Sequence, residues 1–303
     1  RSAAQSYYKN KKVIVVKKLN SKVFAALLAS FVGSSFAFDG MPGDYGWAGD
    51  GTTVLLLYGQ YESADKFKLD GSGDVPNSKL KASAGIVRGV QYAEIGGWKT
   101  SFQFFVPIAD LSTVRIGGVD QKTNSGVGDL TIGATIYPFA SSEPTGTTLG
   151  LTLFVTAPTG DYDSDKVNVG DGTWALTPQI GLVQGLGNGF FLDATADVGF
   201  YESERHNGVK KSVDPASQVQ LDLRYQFSPA TSVSVGYSRL YGGEEYLDDQ
   251  YSGSKTDSQQ VRLFASHWLT PTVQTQVMLG KDIDVEGGFE HDLMAVVRFA
   301  KII

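Results

Sequence analysis

Between residue 52 and residue 300 the apolar residues recur at every second position, segment after segment. In 218–227, Val219, Leu221, Leu223, Tyr225 and Phe227 take one parity, while Gln218, Gln220, Asp222, Arg224 and Gln226 take the other. A period of two puts these sets on opposite faces of an extended strand, and it is not the 3.6-residue period of an amphipathic helix. Residues 191–201 repeat the pattern, with Leu192, Ala194, Ala196, Val198 and Phe200 against Asp193, Thr195 and Asp197. Residues 273–280 do so again, with Val273, Thr275, Val277 and Leu279 against Gln274 and Gln276. The segments fall at 52–66, 81–94, 98–109, 127–139, 147–158, 172–186, 189–202, 216–228, 231–242, 258–269, 272–283 and 288–300. That is about twelve strands, an even number, most of them longer than the roughly 9–11 residues a tilted strand needs to cross a bilayer.

The connections carry an independent signal. Tight turns at 94–97, 186–189, 228–231 and 269–272 alternate with long polar stretches at 65–80, 110–126, 158–172, 202–216 and 242–257. Short periplasmic turns and long outer loops produce this asymmetry in a transmembrane antiparallel up-and-down β-barrel. A soluble sandwich or a lipocalin-like barrel would also alternate, with its apolar parity turned inward. Aromatics at the strand ends, Trp98, Tyr137, Phe139, Phe227 and Trp268, favour the membrane barrel, because interfacial girdles sit there. A secretory address favours it as well. Three lysines, Lys17, Lys18 and Lys22, precede an apolar run from Val23 to Val32 and a Ser35-Phe36-Ala37 cleavage site. This run is shorter than the roughly 20 residues of a spanning helix. The expected organisation is an upstream extension over 1–15, a signal peptide over 16–37 cleaved between Ala37 and Phe38, and a barrel in the bacterial outer membrane over 38–303.

Composition narrows the function. The chain has no cysteine, so neither disulfides nor thiolate metal sites are available. A net charge of -6 argues against broad nucleic-acid binding, which needs a basic face. The mean hydropathy of -0.11 is what a barrel gives when only every second strand residue meets lipid. Asp161, Asp163 and Asp165 have the alternate spacing of a calcium loop, but Lys166 stands where the turn glycine belongs and Gly172 where the bidentate glutamate belongs. No cofactor or metal is expected.

Three stretches, GVGDLTIG at 126–133, VTAPTGDYD at 155–163 and VGDGTWALTPQIG at 169–181, follow one another on consecutive strands. In this order they resemble the outer-membrane channel family associated with meta-pathway phenol degradation. The resemblance implies a monomeric barrel of about twelve strands admitting small hydrophobic or aromatic molecules. On physical grounds, Gly126 and Gly128 allow tight backbone geometry where a loop becomes a strand, and Pro158 and Gly160 end a strand and turn it. These residues are expected to shape the barrel mouth rather than touch a solute.

Parity assigns Arg88, Lys99, Asp129, Asp193, Asp197, Asp222, Arg224, Asp292 and Arg298 to the lumen, where opposed charges can pair or bias passage. No catalytic residue is assigned. A lipid hydrolase is the enzymatic alternative, and a structural or adhesive barrel is the third reading. For the hydrolase, parity turns His267 and His291 outward, and strand closure would bring Ser63 near His291, yet no third group orients such a base. The expected partners are a small-molecule solute, outer-membrane lipid and lipopolysaccharide (through loop acids such as Glu244, Glu245, Asp248 and Asp249) and the outer-membrane assembly machinery.

Overall fold

The computed structural model describes residues 39–163, 165–206 and 208–303; the expected signal peptide and its Ala37–Phe38 cleavage site lie outside the described residues. Twelve long strands form the wall: β1 (Thr53–Leu69), β2 (Lys79–Ile95), β3 (Trp98–Ile116), β4 (Leu130–Ala140), β5 (Thr147–Ala157) and β6 (Ala175–Gly187) make one half. The other half is β7 (Phe190–Tyr201), β8 (Ala216–Ser228), β9 (Thr231–Gly242), β10 (Ser258–Thr270), β11 (Val273–Val285) and β12 (Gly288–Ile302). Each pairs antiparallel with the next, and β1 pairs with both β2 and β12, so Leu56 lies between Arg88 and Ala300 and no long edge is left open. Closure leaves no strand of the wall with an unpaired side along its membrane-spanning part, as a hydrocarbon surround requires.

Burial decides which way the alternation points. On β8, Gln220 and Asp222 are 2% and 5% exposed, whereas Leu221 and Leu223 are 45% and 44% exposed. A soluble sandwich would show the reverse. The tight turns follow their sequence chemistry: Asn188 (φ 52) and Gly189 (φ 82) join β6 to β7 with two left-handed residues, as a two-residue hairpin demands. These turns and Ile302 share one end of the barrel, the periplasmic end by the rule of short inner turns. At the opposite end, short strands at Glu204–His206, Val209–Val213, Glu245–Leu247 and Gln250–Tyr251 weave two long loops into a small sheet.

Three expectations need correction. First, β1, β2 and β3 run for 17, 17 and 19 residues, through stretches read as loops at 65–80 and 110–126. Their outer ends are polar outside (Lys81, Ser83, Asp110) and apolar inside (Leu80, Ala82, Leu111, Val114). This polarity belongs to a soluble barrel standing in water above the bilayer. Its core holds Phe67, Leu80, Phe105, Leu111, Val114 and Phe289, with the Phe67 and Phe289 rings 4.9 Å apart edge to face. Second, the β1–β12 register slips between Ser63 and Ala64, whose partners are Leu293 and His291. The extra residue is a β-bulge, and it reverses the parity above it. Asp292 is therefore exposed and accepts a bond from Asp65 N, not a lumen group, while His291 turns inward. Third, Tyr137 is buried inside the barrel instead of joining the outer aromatic girdle.

Candidate functional site

Residues 39–47, DGMPGDYGW, carry no alternation, and the structure places them inside the barrel as a strap climbing from the periplasmic end. Five of its side chains, those of Asp39, Met41, Asp44, Tyr45 and Trp47, have docking partners on the wall. Trp47 sits edge to face with Tyr92 and Tyr137 at 5.4 Å, with Lys99 Nζ 5.7 Å above its ring. Tyr45 lies flat against a slot made by Gly150 and Gly181, which face each other across β5 and β6. A Cβ at Gly181 would come within 2.1 Å of the Tyr45 ring, so only glycine leaves room for it. The Tyr45 hydroxyl donates to Gln179 Oε1 at 2.6 Å and shares a bond with Thr152 at 2.9 Å.

The charges follow the same logic. Asp44 is held between two inward arginines, Arg88 at 2.9 Å and Arg298. Arg88 also donates to Tyr58 and Gln103. Gly43 N donates to Asp193 Oδ1 at 3.0 Å, and Asp193 is in turn forked by Arg224 at 2.8 Å, whose guanidinium lies 4.4 Å over the Phe191 ring. Asp39 accepts from Gln218 and Gln220 and pairs with Arg262 at 3.4 Å. Met41 packs with Phe264, Met278 and Met294. Buried pairs of this kind tolerate no loss of a single partner, because the survivor is left charged and unsolvated. Two narrow spaces lie beside the strap, about 30 Å³ toward β2–β6 and about 10 Å³ toward β6–β8.

Of the residues that parity assigned to the lumen, Arg88, Lys99, Asp193, Arg224 and Arg298 thus gather around the strap. Asp197 accepts from Gln179 at 2.8 Å, next to the Tyr45 slot. Asp222 is buried beside Gly236. Asp129 does something else. Its Oδ1 accepts from Gly160 N, and its Oδ2 accepts from the backbone N of Asp171 and of Gly172. One carboxylate therefore ties together the three motifs at 126–133, 155–163 and 169–181. The glycines around it are required by contact: a Cβ on Gly160 would lie 2.6 Å from the Gly128 carbonyl carbon, and one on Gly170 would lie 2.8 Å from the Asp129 carboxylate.

Above the strap, toward the outer loops, opens a vestibule of about 100 Å³. His291, turned in by the bulge, bridges Asp282 (2.9 Å) and Glu62 (3.4 Å) at its wall. Ser63 lies on the opposite face of β1, so the serine–histidine pair weighed for a hydrolase is not assembled. His267 does face outward, sharing a hydrogen bond with Thr231. Sequence reading missed the strap itself, along with Gln179, Gln218, Gln220 and Arg262 as its holders. The facing glycines at 150 and 181 were the available signal.

A closed barrel with apolar residues toward lipid, a polar lumen, an internal strap and an outer vestibule defines an outer-membrane channel. The chain belongs to the family described as MetA-pathway of phenol degradation, whose model matches residues 64–299. It is similar to the crystal structure of an outer membrane channel from Pseudomonas putida F1, with 27% identity and a TM-score of 0.81, covering 88% of this chain and 100% of that one. It shares its fold with the transport unit of the autotransporter AIDA-I from Escherichia coli, with 12% identity and a TM-score of 0.54, covering 92% and 96%. No curated protein matches by sequence.

Proposed function

We propose that this channel takes up small hydrophobic or aromatic solutes passively, as a monomer, and that the strap at 39–47 sets how much can pass. The observation that carries the reading is the strap's fit: about 30 Å³ beside it accommodates roughly one water, so a solute needs the strap displaced or a path around it. Support for a wet path comes from β8–β12, where Asp222 Oδ1, Arg262 Nε, Gln276 Oε1 and Arg298 Nε are buried without a partner among the described residues. Groups of this kind are normally met by water. The solute class is supported by the family's association with phenol degradation.

Two measurements test this together. Uptake of a labelled panel of neutral aromatics and aromatic acids is compared in deletion and complemented strains. Single-channel conductance is compared for the intact barrel and for a variant lacking 39–47. Faster aromatic uptake with the barrel present, and a larger conductance without the strap, are the expected results. Equal uptake of every compound, with no channel events from either protein, would favour a structural barrel.

A further inference from the structure

Gly150 on β5 and Gly181 on β6 face each other in the middle of the wall. Neither has a positive φ, so backbone geometry does not require glycine at either position. Glycine weakens a strand interior, and its presence there marks a close approach. What approaches is the Tyr45 ring: an added Cβ would lie 2.5 Å from it at Gly150 and 2.1 Å from it at Gly181. The bare backbone of the two strands leaves a slot for one flat ring. Residues 39–47 contribute no strand to the wall, so the ring can leave the slot without opening the barrel. The space of about 30 Å³ beside the strap borders both Tyr45 and Gln179, which puts the hydroxyl end of the slot next to open volume.

The polar end of the slot selects among rings. Gln179 Nε2 donates to Asp197 Oδ2 at 2.8 Å, which turns Gln179 Oε1 toward the slot as an acceptor. The Tyr45 hydroxyl gives its one proton to that oxygen, so at 2.9 Å it accepts from Thr152. Thr152 is held in turn by the Thr135 hydroxyl at 2.8 Å. The wall therefore fits a planar ring ending in an oxygen that donates once and accepts once. An aromatic hydrocarbon would leave the buried Gln179 and Thr152 without that oxygen, at the cost of an unsatisfied polar group. An aromatic carboxylate would set acceptor against acceptor at Gln179, with Asp197 behind it. Arg88, which lines the adjoining space, is already engaged by Asp44, Tyr58 and Gln103. A saturated ring, puckered and with axial hydrogens, is too thick for the slot.

We infer that the Gly150–Gly181 slot is a binding site for a neutral phenol, its O–H donating to Gln179 and its oxygen accepting from Thr152, with Tyr45 standing in the slot until the free molecule takes its place. The inference rests on the uptake reading above. Aromatic uptake without phenol binding in the slot sinks the slot alone, and slot binding by a barrel that takes up nothing sinks that reading alone. The test is calorimetric titration of the full chain in detergent micelles with phenol, with micelles alone as the blank. Toluene, benzoate and cyclohexanol serve as comparators. The wild-type barrel should bind phenol at least tenfold more tightly than any of the three. Tyr45→Phe, which keeps the ring but loses both hydroxyl bonds, should bind phenol several-fold more tightly than the wild type, and Tyr45→Ala at least tenfold more tightly. Adding Gly181→Ala to Tyr45→Ala should cancel that gain, because the new Cβ enters the slot. The two alanine variants are scored only if the barrel still shifts its gel mobility on heating; otherwise the wild type and Tyr45→Phe decide. No binding of phenol by the wild type up to about 10 mM, equal binding of toluene, no tightening in Tyr45→Phe, or phenol binding indifferent to Gly181→Ala would each overturn the assignment.

Discussion

The inner faces of β1–β3 and of β8–β12 belong to one continuous wall and carry opposite chemistry. Above Arg88, the inward residues of β2 are Ile86, Ala84, Ala82 and Leu80, packed with Phe67, Phe105 and Phe289 into a dry core. At similar register on the far side the inward residues are Gln218, Gln220, Gln260 and Arg262, all buried and polar. The outward faces differ in the complementary sense: Lys81 and Ser83 on β2, but Leu221 and Leu263 on β8 and β10. A strand face is not apolar or polar because of the fold. Its chemistry follows from what lies beyond it, water above the bilayer in one region and hydrocarbon in the other.

The comparison can be broken most severely at Phe67. Phe67→Ala should destabilise the dry core by about 3–5 kcal/mol, read from urea unfolding of barrels in micelles. A cost below 1 kcal/mol would mean that the outer ends of β1–β3 do not pack as a core. Next comes the lipid side. Leu221→Arg should cost about 2–4 kcal/mol near mid-bilayer, whereas Lys81→Leu, outward on the other region, should change stability little. Similar penalties at the two sites would erase the distinction between a watered and a lipid-facing exterior.

A smaller effect is expected at Asp171, in the loops between the two regions. Burial pushes its carboxyl up to about 6, opposed by Lys211 and reinforced by Asp129 and Glu204. The folded loop thus holds this proton more tightly than the unfolded chain does. Its contribution to stability is fully present below about pH 4 and is lost as pH rises through 6. Hydrogen exchange of 167–173, corrected for intrinsic rates, should show protection falling across that window, and Asp171→Asn should flatten the dependence. The smallest change belongs to the wet side: Asp222→Asn should shift stability by no more than about 0.5 kcal/mol, since its Oδ1 has no partner among the described residues to lose. A large penalty there would show that the lumen of β8–β12 is as tightly committed as the core of β1–β3.

The twelve strands were legible because period-two alternation survives whichever face is wet. Their outer ends on β1–β3 were not, because Lys81, Ser83 and Asp110 look like loop residues unless water is known to lie outside them. Asp292 and His291 were misassigned for a local reason, a single inserted residue that parity counting cannot see. The strap was missed for a different one. Its residues have no period, and its holders Gln179, Gln218 and Gln220 resemble any other polar lumen residues until Asp39 and Tyr45 are placed against them. The three motifs marked a real constraint, but that constraint is Asp129 binding the loop backbones together.

The strap is joined to Thr53 of β1 by the short stretch 48–52, and its docking groups can leave the wall without any ladder of the barrel being broken. In thermodynamic terms it is a tethered ligand, bound to a receptor from which it never diffuses away. A short tether of this kind holds its ligand at an effective concentration on the order of millimolar. Any molecule that must occupy the Tyr45 slot or the Asp44 arginines competes against that figure as well as against the contacts themselves. Half-maximal flux through such a barrel would then fall at a higher outside concentration, and lengthening 48–52 would lower that concentration without altering one residue of the lumen.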